Sequence, residues 1–348
     1  MKFELAGAPH QPPAASVGGV MRQVLYALVP AVVAHVWFFG YGILFQIALA
    51  VAFAVGLEAA MLKLRDRPIR LFLSDYSAVV TGVLFALCMP PLAPWWIAAI
   101  GMLFAIVIAK HLYGGLGYNL FNPAMVGFAA VIIAFPLELS QWVLPRSLSP
   151  GLPGLLETAQ AIFTGHLPAK LNWDAVTGAT PLDELRTGVR ENLLVTEIRN
   201  APIFGDFGGR GWEWIANFYA LGGIYLLWKR VISWHVPVAV LATTIIVSAP
   251  LWLLGPDTNP SPLQHIFSGA LVLGAFFIAT DPVSGCSTLR GKLLFGAGVA
   301  ILTLVIRRWG GYPDGVAFAI LLMNMTAPLV DRLTRPRTYG HGNSSSGS

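Results

Sequence analysis

Lys63-Leu64-Arg65-Asp66-Arg67-Pro68-Ile69-Arg70 is the densest basic stretch of the chain, and it directly follows residues 43–62, an apolar run interrupted only by Gln46 and Glu58. About 20 apolar residues suffice for a helix to cross a ~30 Å hydrocarbon core. A short basic loop at the end of such a run marks the cytoplasmic side. This one junction therefore fixes a membrane crossing and its direction, and the rest of the chain can be placed relative to it.

Composition points the same way. The chain has 348 residues, 56% hydrophobic and 11% charged, with a mean hydropathy of +0.68. That is too apolar for a soluble domain and too long for a single crossing, so the expected class is an all-α polytopic membrane protein. The formal charge is +5, yet no run of basic residues or basic-aromatic patch gathers it, so nucleic acid is not an expected partner. Cys88 and Cys286 are isolated from each other and from any His cluster, which gives no support to a metal site or a disulfide framework. Residues 1–22 lack the apolar core of a cleavable signal and read as a cytoplasmic tail.

Polar punctuation divides the chain into ten apolar stretches, at residues 24–39, 43–62, 74–90, 95–109, 120–136, 214–228, 235–254, 263–280, 293–306 and 316–330. The expected domains are a first transmembrane repeat over 23–136, an extracytoplasmic loop over 137–212, a second repeat over 213–333 and a disordered cytoplasmic tail over 334–348. With both termini inside, fourteen of the 22 Lys and Arg residues fall in cytoplasmic segments. Six more lie in the long loop, which is exempt because long segments translocate regardless of charge. Arg307 and Arg308 alone disagree.

An internal repeat accounts for these two. Thr81-Gly82-Val83-Leu84 followed by Pro90-Pro91 is matched by Ser268-Gly269-Ala270-Leu271 followed by Asp281-Pro282, and Lys110-His111 before Gly114-Gly115 is matched by Arg307-Arg308 before Gly310-Gly311. Five spans separate the copies, so the second is inverted, and basic pairs on opposite faces are what inversion produces. The alternative is chance likeness between Gly-rich membrane sequences. Inverted repeats place broken elements near the midplane, and the expected breaks are 114–123 and 310–315. There Asn119 and Asn122, beside Tyr113, Tyr118 and Phe121, offer amide groups to a flavin or quinone ring; the plainer role is capping or helix–helix hydrogen bonding. Glu58, Asp75, Glu138 and Asp281 sit near span ends, where snorkelling explains most of them; Asp75 and Asp281 are the candidates for ion handling. His35 is expected to bond a neighbouring helix.

The long loop carries Asp174-Ala175-Val176-Thr177-Gly178-Ala179-Thr180-Pro181. Thr180 is a good helix N-cap, with Pro181 at the first helical position and Asp183 and Glu184 in the first turn. The pattern Asp-x-x-Thr-Gly-Ala-Thr also resembles the flavinylation motif of membrane redox complexes. The two roles are compatible.

Five ordered motifs carry a wider resemblance: Thr81 to Pro91, Lys110 to Met125, Asp174 to Leu182, Ala279-Thr280-Asp281-Pro282, and Arg308-Trp309-Gly310-Gly311-Tyr312-Pro313-Asp314-Gly315. Together they resemble the NqrB/RnfD family, over about residues 22–332, and its RnfD branch more than its NqrB branch because the N-terminal extension is short. The resemblance implies a ten-helix component of an Rnf-type complex of the bacterial inner membrane. Such a complex moves electrons between ferredoxin and NAD, coupled to Na+ or H+ transport. It implies FMN joined covalently to Thr180, within a motif comprising Asp174, Thr177, Gly178 and Ala179, and possession of a non-covalent riboflavin in the NqrB branch, for which Asn119 and Asn122 are the positions here. Other membrane, flavoprotein and iron–sulfur subunits are the implied partners, because the chain has neither ferredoxin-type Cys spacing nor a dinucleotide-binding Gly motif. A secondary transporter, an NqrB-like quinone-reductase component and a redox-silent structural component are the alternatives.

Overall fold

The computed structural model describes residues 16–149, 151–167 and 172–335. The N-terminal tail before Ser16, Lys170, and the tail from residue 336 onward lie outside the described residues.

Ser16 caps α1 (Val17–Phe39) by accepting from the Gly19 N–H at 3.1 Å. Gly40, at φ +81°, turns the chain into α2 (Gly42–Leu64), a left-handed conformation that a residue with a Cβ adopts at a cost. α3 (Ser77–Ala86) follows, then α4 (Trp95–His111) and α5 (Pro123–Ala134). The second half contains α7 (Trp212–Trp228), α8 (His235–Leu254), α9 (Leu289–Trp309) and α10 (Val316–Thr334), with α6 (Pro181–Arg190) in the long segment between the halves. α1 packs along α7, α2 along α3, and α8 along α9, which in turn packs on α10. The α1–α7 contact is close because Gly222 lies against the Ala27 carbonyl, the small-residue packing that lets membrane helices approach.

Among the described residues five helices, α1, α2, α8, α9 and α10, are long and apolar enough to cross a membrane, and the apolar helices α3, α4 and α5 are shorter. α3 has 10 residues, about 15 Å of helix, and nearly all of them are buried, which marks an interior element rather than a lipid-facing one. The chain then unwinds through 87–94. Gln46 of α2 satisfies the exposed backbone there, donating from Nε2 to the Ala93 carbonyl at 2.6 Å. In the second half, residues 262–278 are broken into Pro262–Phe267, Leu271–Leu273 and a wide π turn, Gly274–Ile278. Gly269 sits at φ +68° against the Asp314 carboxylate.

The helices stop at 112–122 and 310–315, around the expected breaks, and the chain is also unwound at 87–94 and 268–270. The glycines of 114–117 shape a surface turn that leaves Tyr113 and Tyr118 exposed. Arg307 is also not a solvated basic residue. It is buried and donates to the carbonyls of His265 (2.6 Å) and Ser268 (3.0 Å), while Asp314 accepts from Ala270 N–H (2.6 Å) and pairs with Arg307 (3.1 Å). Backbone groups freed inside a membrane protein must be satisfied by side chains, and this ion pair does so.

Over its described residues, the segment between α5 and α7 carries secondary structure and a core. Its strands β1 (Trp142–Val143) and β2 (Thr177–Gly178) pair antiparallel, with Trp142 opposite Gly178 and Val143 opposite Thr177. Leu185, Val195, Ile198, Ile203 and Phe204 form a small core of its own. Backbone bonds from Arg146 to Phe38 (2.8 Å) and from Val195 to Asp257 (2.7 Å) anchor it on the ends of α1 and α8.

Candidate cofactor cavities

Thr180 is held from both sides. Upstream, the turn Trp173–Val176 is closed by Thr177 Oγ1 donating to the Trp173 carbonyl at 2.8 Å, and β2 then pairs with β1. A Cβ on Gly178 would lie 2.7 Å from Leu144 Cδ2, so a larger residue here would have to push that side chain aside. Downstream, Thr180 is the N-cap of α6. Its Oγ1 accepts from the Asp183 N–H at 3.2 Å and donates to Asp183 Oδ2 at 2.8 Å. Burial pushes the Asp183 carboxyl above the usual range, more than the hydrogen bonds from Thr180 pull it down. Asp174 and Ala179 are exposed.

The side chain of Thr180 opens on a cavity of about 320 Å³. Asp183, Arg186 and Asp314 line it beside Thr180; Trp142, Trp212 and Tyr312 supply aromatic walls; His35, Cys88 and Tyr219 line it from within the bundle. Trp142 and Trp212 meet edge to face, with ring centres 4.8 Å apart. His35 bonds Tyr219 of α7, Nε2 to hydroxyl at 3.1 Å, the neighbouring-helix bond expected of a His in an apolar helix. Its other nitrogen, Nδ1, has no partner among the described residues.

A second cavity, about 200 Å³, brings together Asn119, Asn122 and Asp281 with Ser77, Lys110, Thr280 and Lys292. Asn122 also caps α5, accepting from Met125 N–H at 3.2 Å, and its own N–H donates to Asn324 Oδ1 at 3.1 Å. Asn119 donates to the Phe121 carbonyl at 3.1 Å. Tyr113, Tyr118 and Phe121 do not line this cavity; its aromatic residues are Phe276 and Phe277 of the π turn. Asp281 accepts from Ser284 Oγ at 2.7 Å and Val283 N–H at 3.2 Å. Asp75 stands one residue back, accepting from Ser77 Oγ at 2.6 Å.

Sequence reasoning missed the group behind Asp75. Glu58 does not snorkel: it is 3% exposed, 2.8 Å from Lys110 Nζ and 3.2 Å from His111 Nε2. Lys110 also donates to Ser77 Oγ at 2.8 Å. A connected series, Asp75–Ser77–Lys110–Glu58–His111, thus reaches the second cavity at Lys110. The available signal was a carboxylate deep in an apolar run and a basic pair at the end of another, each a costly burial unless matched. The cavities are close neighbours: Tyr219 of the first meets Phe277 of the second, ring centres 6.2 Å apart.

The family described as NQR2, RnfD, RnfE matches residues 4–340. The chain belongs to that family. Within the NQR2, RnfD, RnfE family it is 46% identical to a Citrobacter koseri protein over 98% of this chain and 100% of that protein. It is 47% identical to one from Aliivibrio salmonicida and 46% identical to one from Escherichia coli, each over 98% of this chain and 99% of the relative. All three relatives are named as the D component of an ion-translocating oxidoreductase complex. As a member of this family the chain places its five ordered motifs on the two cavities and the two breaks, with the Asp174 to Leu182 stretch on the larger cavity.

Proposed function

We propose that this chain is the flavin-carrying D component of an Rnf-type ion-translocating oxidoreductase complex in the bacterial inner membrane, with FMN joined through its phosphate to Thr180. One observation carries the proposal: the Thr180 hydroxyl opens on an aromatic-walled cavity of about 320 Å³, a size within the usual range of cofactor sites, about 300–1,000 Å³. The residues fit the group. The Thr180 hydroxyl, bonded among the described residues only to Asp183 of its own helix, suits a phosphoester, Arg186 lines the same cavity as a cation, and Trp142, Trp212 and Tyr312 suit a flat ring. When bound, the flavin supplies the redox chemistry; the chain supplies position, dielectric and charge.

The second cavity is the proposed place of a non-covalent riboflavin, with Asn119 and Asn122 as its amide partners. Asp75 and Asp281 are the proposed ion-handling carboxylates, for Na+ or H+. Both termini are cytoplasmic and the Thr180 segment extracytoplasmic. The residues lining the second cavity come from loops expected inside, around 116–123, 231–236 and 280–292, and those lining the first from segments expected outside, around 136–142, 180–186 and 311–314, which supports the assignment. Each half contains an unwound stretch inside its buried part, at 87–94 and at 268–270, as inverted five-segment repeats would. Ferredoxin and NAD would be reached through partner subunits.

Mass spectrometry of the peptide containing Thr180, taken from the native membrane, tests the proposal. An added FMN phosphoester on Thr180 is the expected result; an unmodified peptide at full yield overturns it.

A further inference from the structure

His35 is 2% exposed and Tyr219 5%, and both line the Thr180 cavity. Nε2 of His35 lies 3.1 Å from the Tyr219 hydroxyl, while Nδ1 is buried without a partner among the described residues. An unpaired polar atom in an apolar bundle carries a desolvation penalty, so such an atom in a residue that lines a cavity marks where a ligand's polar edge belongs. The same cavity is lined by the apolar side chains of Leu87, Met125, Phe128 and Ile215.

We propose that His35 Nδ1 is the hydrogen-bond partner of the polar edge of the flat heteroaromatic ring seated in the Thr180 cavity, with Tyr219 as the positioning residue that sets the imidazole tautomer. This rests on the reading of Thr180 given above and adds where the ring lies. The chemistry of the pair suits a ring that changes oxidation state. A neutral imidazole has one N–H and one lone pair. When the Tyr219 hydroxyl donates to Nε2, Nδ1 carries the proton and donates to the ring nitrogen of an oxidised flavin. When Nε2 carries the proton and donates to the Tyr219 oxygen, Nδ1 accepts from the N–H of a reduced one. Both arrangements leave the imidazole neutral, so neither buries a charge.

The test uses the full chain purified with its covalent flavin, as wild type, His35→Leu, His35→Gln and Tyr219→Phe. In-gel fluorescence gives the covalent load, and redox titration followed by absorbance gives the midpoint potential and the flavin band position. Equal load in all four is expected, with a shifted potential and band in His35→Leu, a smaller shift in Tyr219→Phe, and near wild-type behaviour in His35→Gln, whose amide both donates and accepts. Wild-type potential and band in a fully loaded His35→Leu chain would overturn the proposal. If His35→Leu does not fold, the near-isosteric Tyr219→Phe decides, an unchanged potential and band again overturning it. A wild-type chain without covalent flavin overturns instead the reading of Thr180 on which the proposal rests.

Discussion

Lys110 Nζ lies 2.8 Å from Glu58 Oε1, with both side chains almost wholly withdrawn from solvent. Neither charge is tolerable there alone. Glu58→Ala leaves a buried ammonium with only Ser77 to answer it, and removal of one member of a buried pair costs about 3–5 kcal/mol. Replacing both, as Glu58→Gln with Lys110→Met, removes the uncompensated charge and is expected to recover most of that loss. Thermal unfolding of the detergent-solubilised chain measures both; equal stability of Glu58→Ala and wild type would mean the pair contributes nothing to the fold.

Thr180 caps α6 and presents the hydroxyl proposed for attachment, and two substitutions separate these roles. Thr180→Ser keeps cap and hydroxyl and should keep covalent flavin fluorescence. Thr180→Ala loses both: fluorescence disappears from the protein band, and the segment is destabilised by about 1 kcal/mol, the usual cost of a lost cap. Limited proteolysis of the segment reads the second effect without reference to flavin. Fluorescence retained in Thr180→Ala would move the attachment elsewhere.

Much of this site could be read in the chain, because capping and turn chemistry are local. Thr180, Pro181 and Asp183 specify an N-cap wherever the segment lies, and the apolar runs of α1, α2 and α8 fix membrane helices by length alone. Pro90, Pro91 and Pro94 mark the stop before Trp95, whereas the break at 268–270 was not legible because the Arg307 and Asp314 side chains that hold it lie much further along the chain. Glu58 was hidden for a similar reason: near a span end, burial and snorkelling differ only by whether a partner helix brings a cation, and Lys110 arrives 52 residues later.

Asp183 gives the Thr180 segment a pH dependence of definite sign. Burial raises its carboxyl above the ordinary value, about 3.9, so the folded segment binds the proton more tightly than the unfolded one. Its contribution to stability is therefore full below the ordinary value and is lost as pH rises through the raised one. Hydrogen-exchange protection of Pro181–Arg190, corrected for intrinsic rates, should fall across that window, and Asp183→Asn should flatten the profile. A phosphate on Thr180 adds negative charge beside Asp183, so loaded protein should show the fall at higher pH than unloaded protein.

Asp75 and Asp281 hold similar local positions but differ in what their charge touches. Asp75 accepts from the Ser77 N–H at 2.7 Å, at the start of α3, and Asn serves that purpose nearly as well. Asp75→Asn should thus leave the fold within about 1 kcal/mol of wild type. Through Ser77, however, its negative charge lies near Lys110, and Asp281 lines the same cavity as Lys110. If these carboxylates balance a cation passing that cavity, Asp75→Asn and Asp281→Asn should each lower ion transport by the assembled complex at least tenfold while its electron flow in uncoupled membranes persists. Ion uptake and NADH formation, measured separately on the same vesicles, distinguish this from an assembly defect, in which both fall together. Unchanged transport in both variants would assign the carboxylates to capping alone, because Asn keeps the single acceptor oxygen that Asp75 uses and one of the two that Asp281 uses, while both lose their charge.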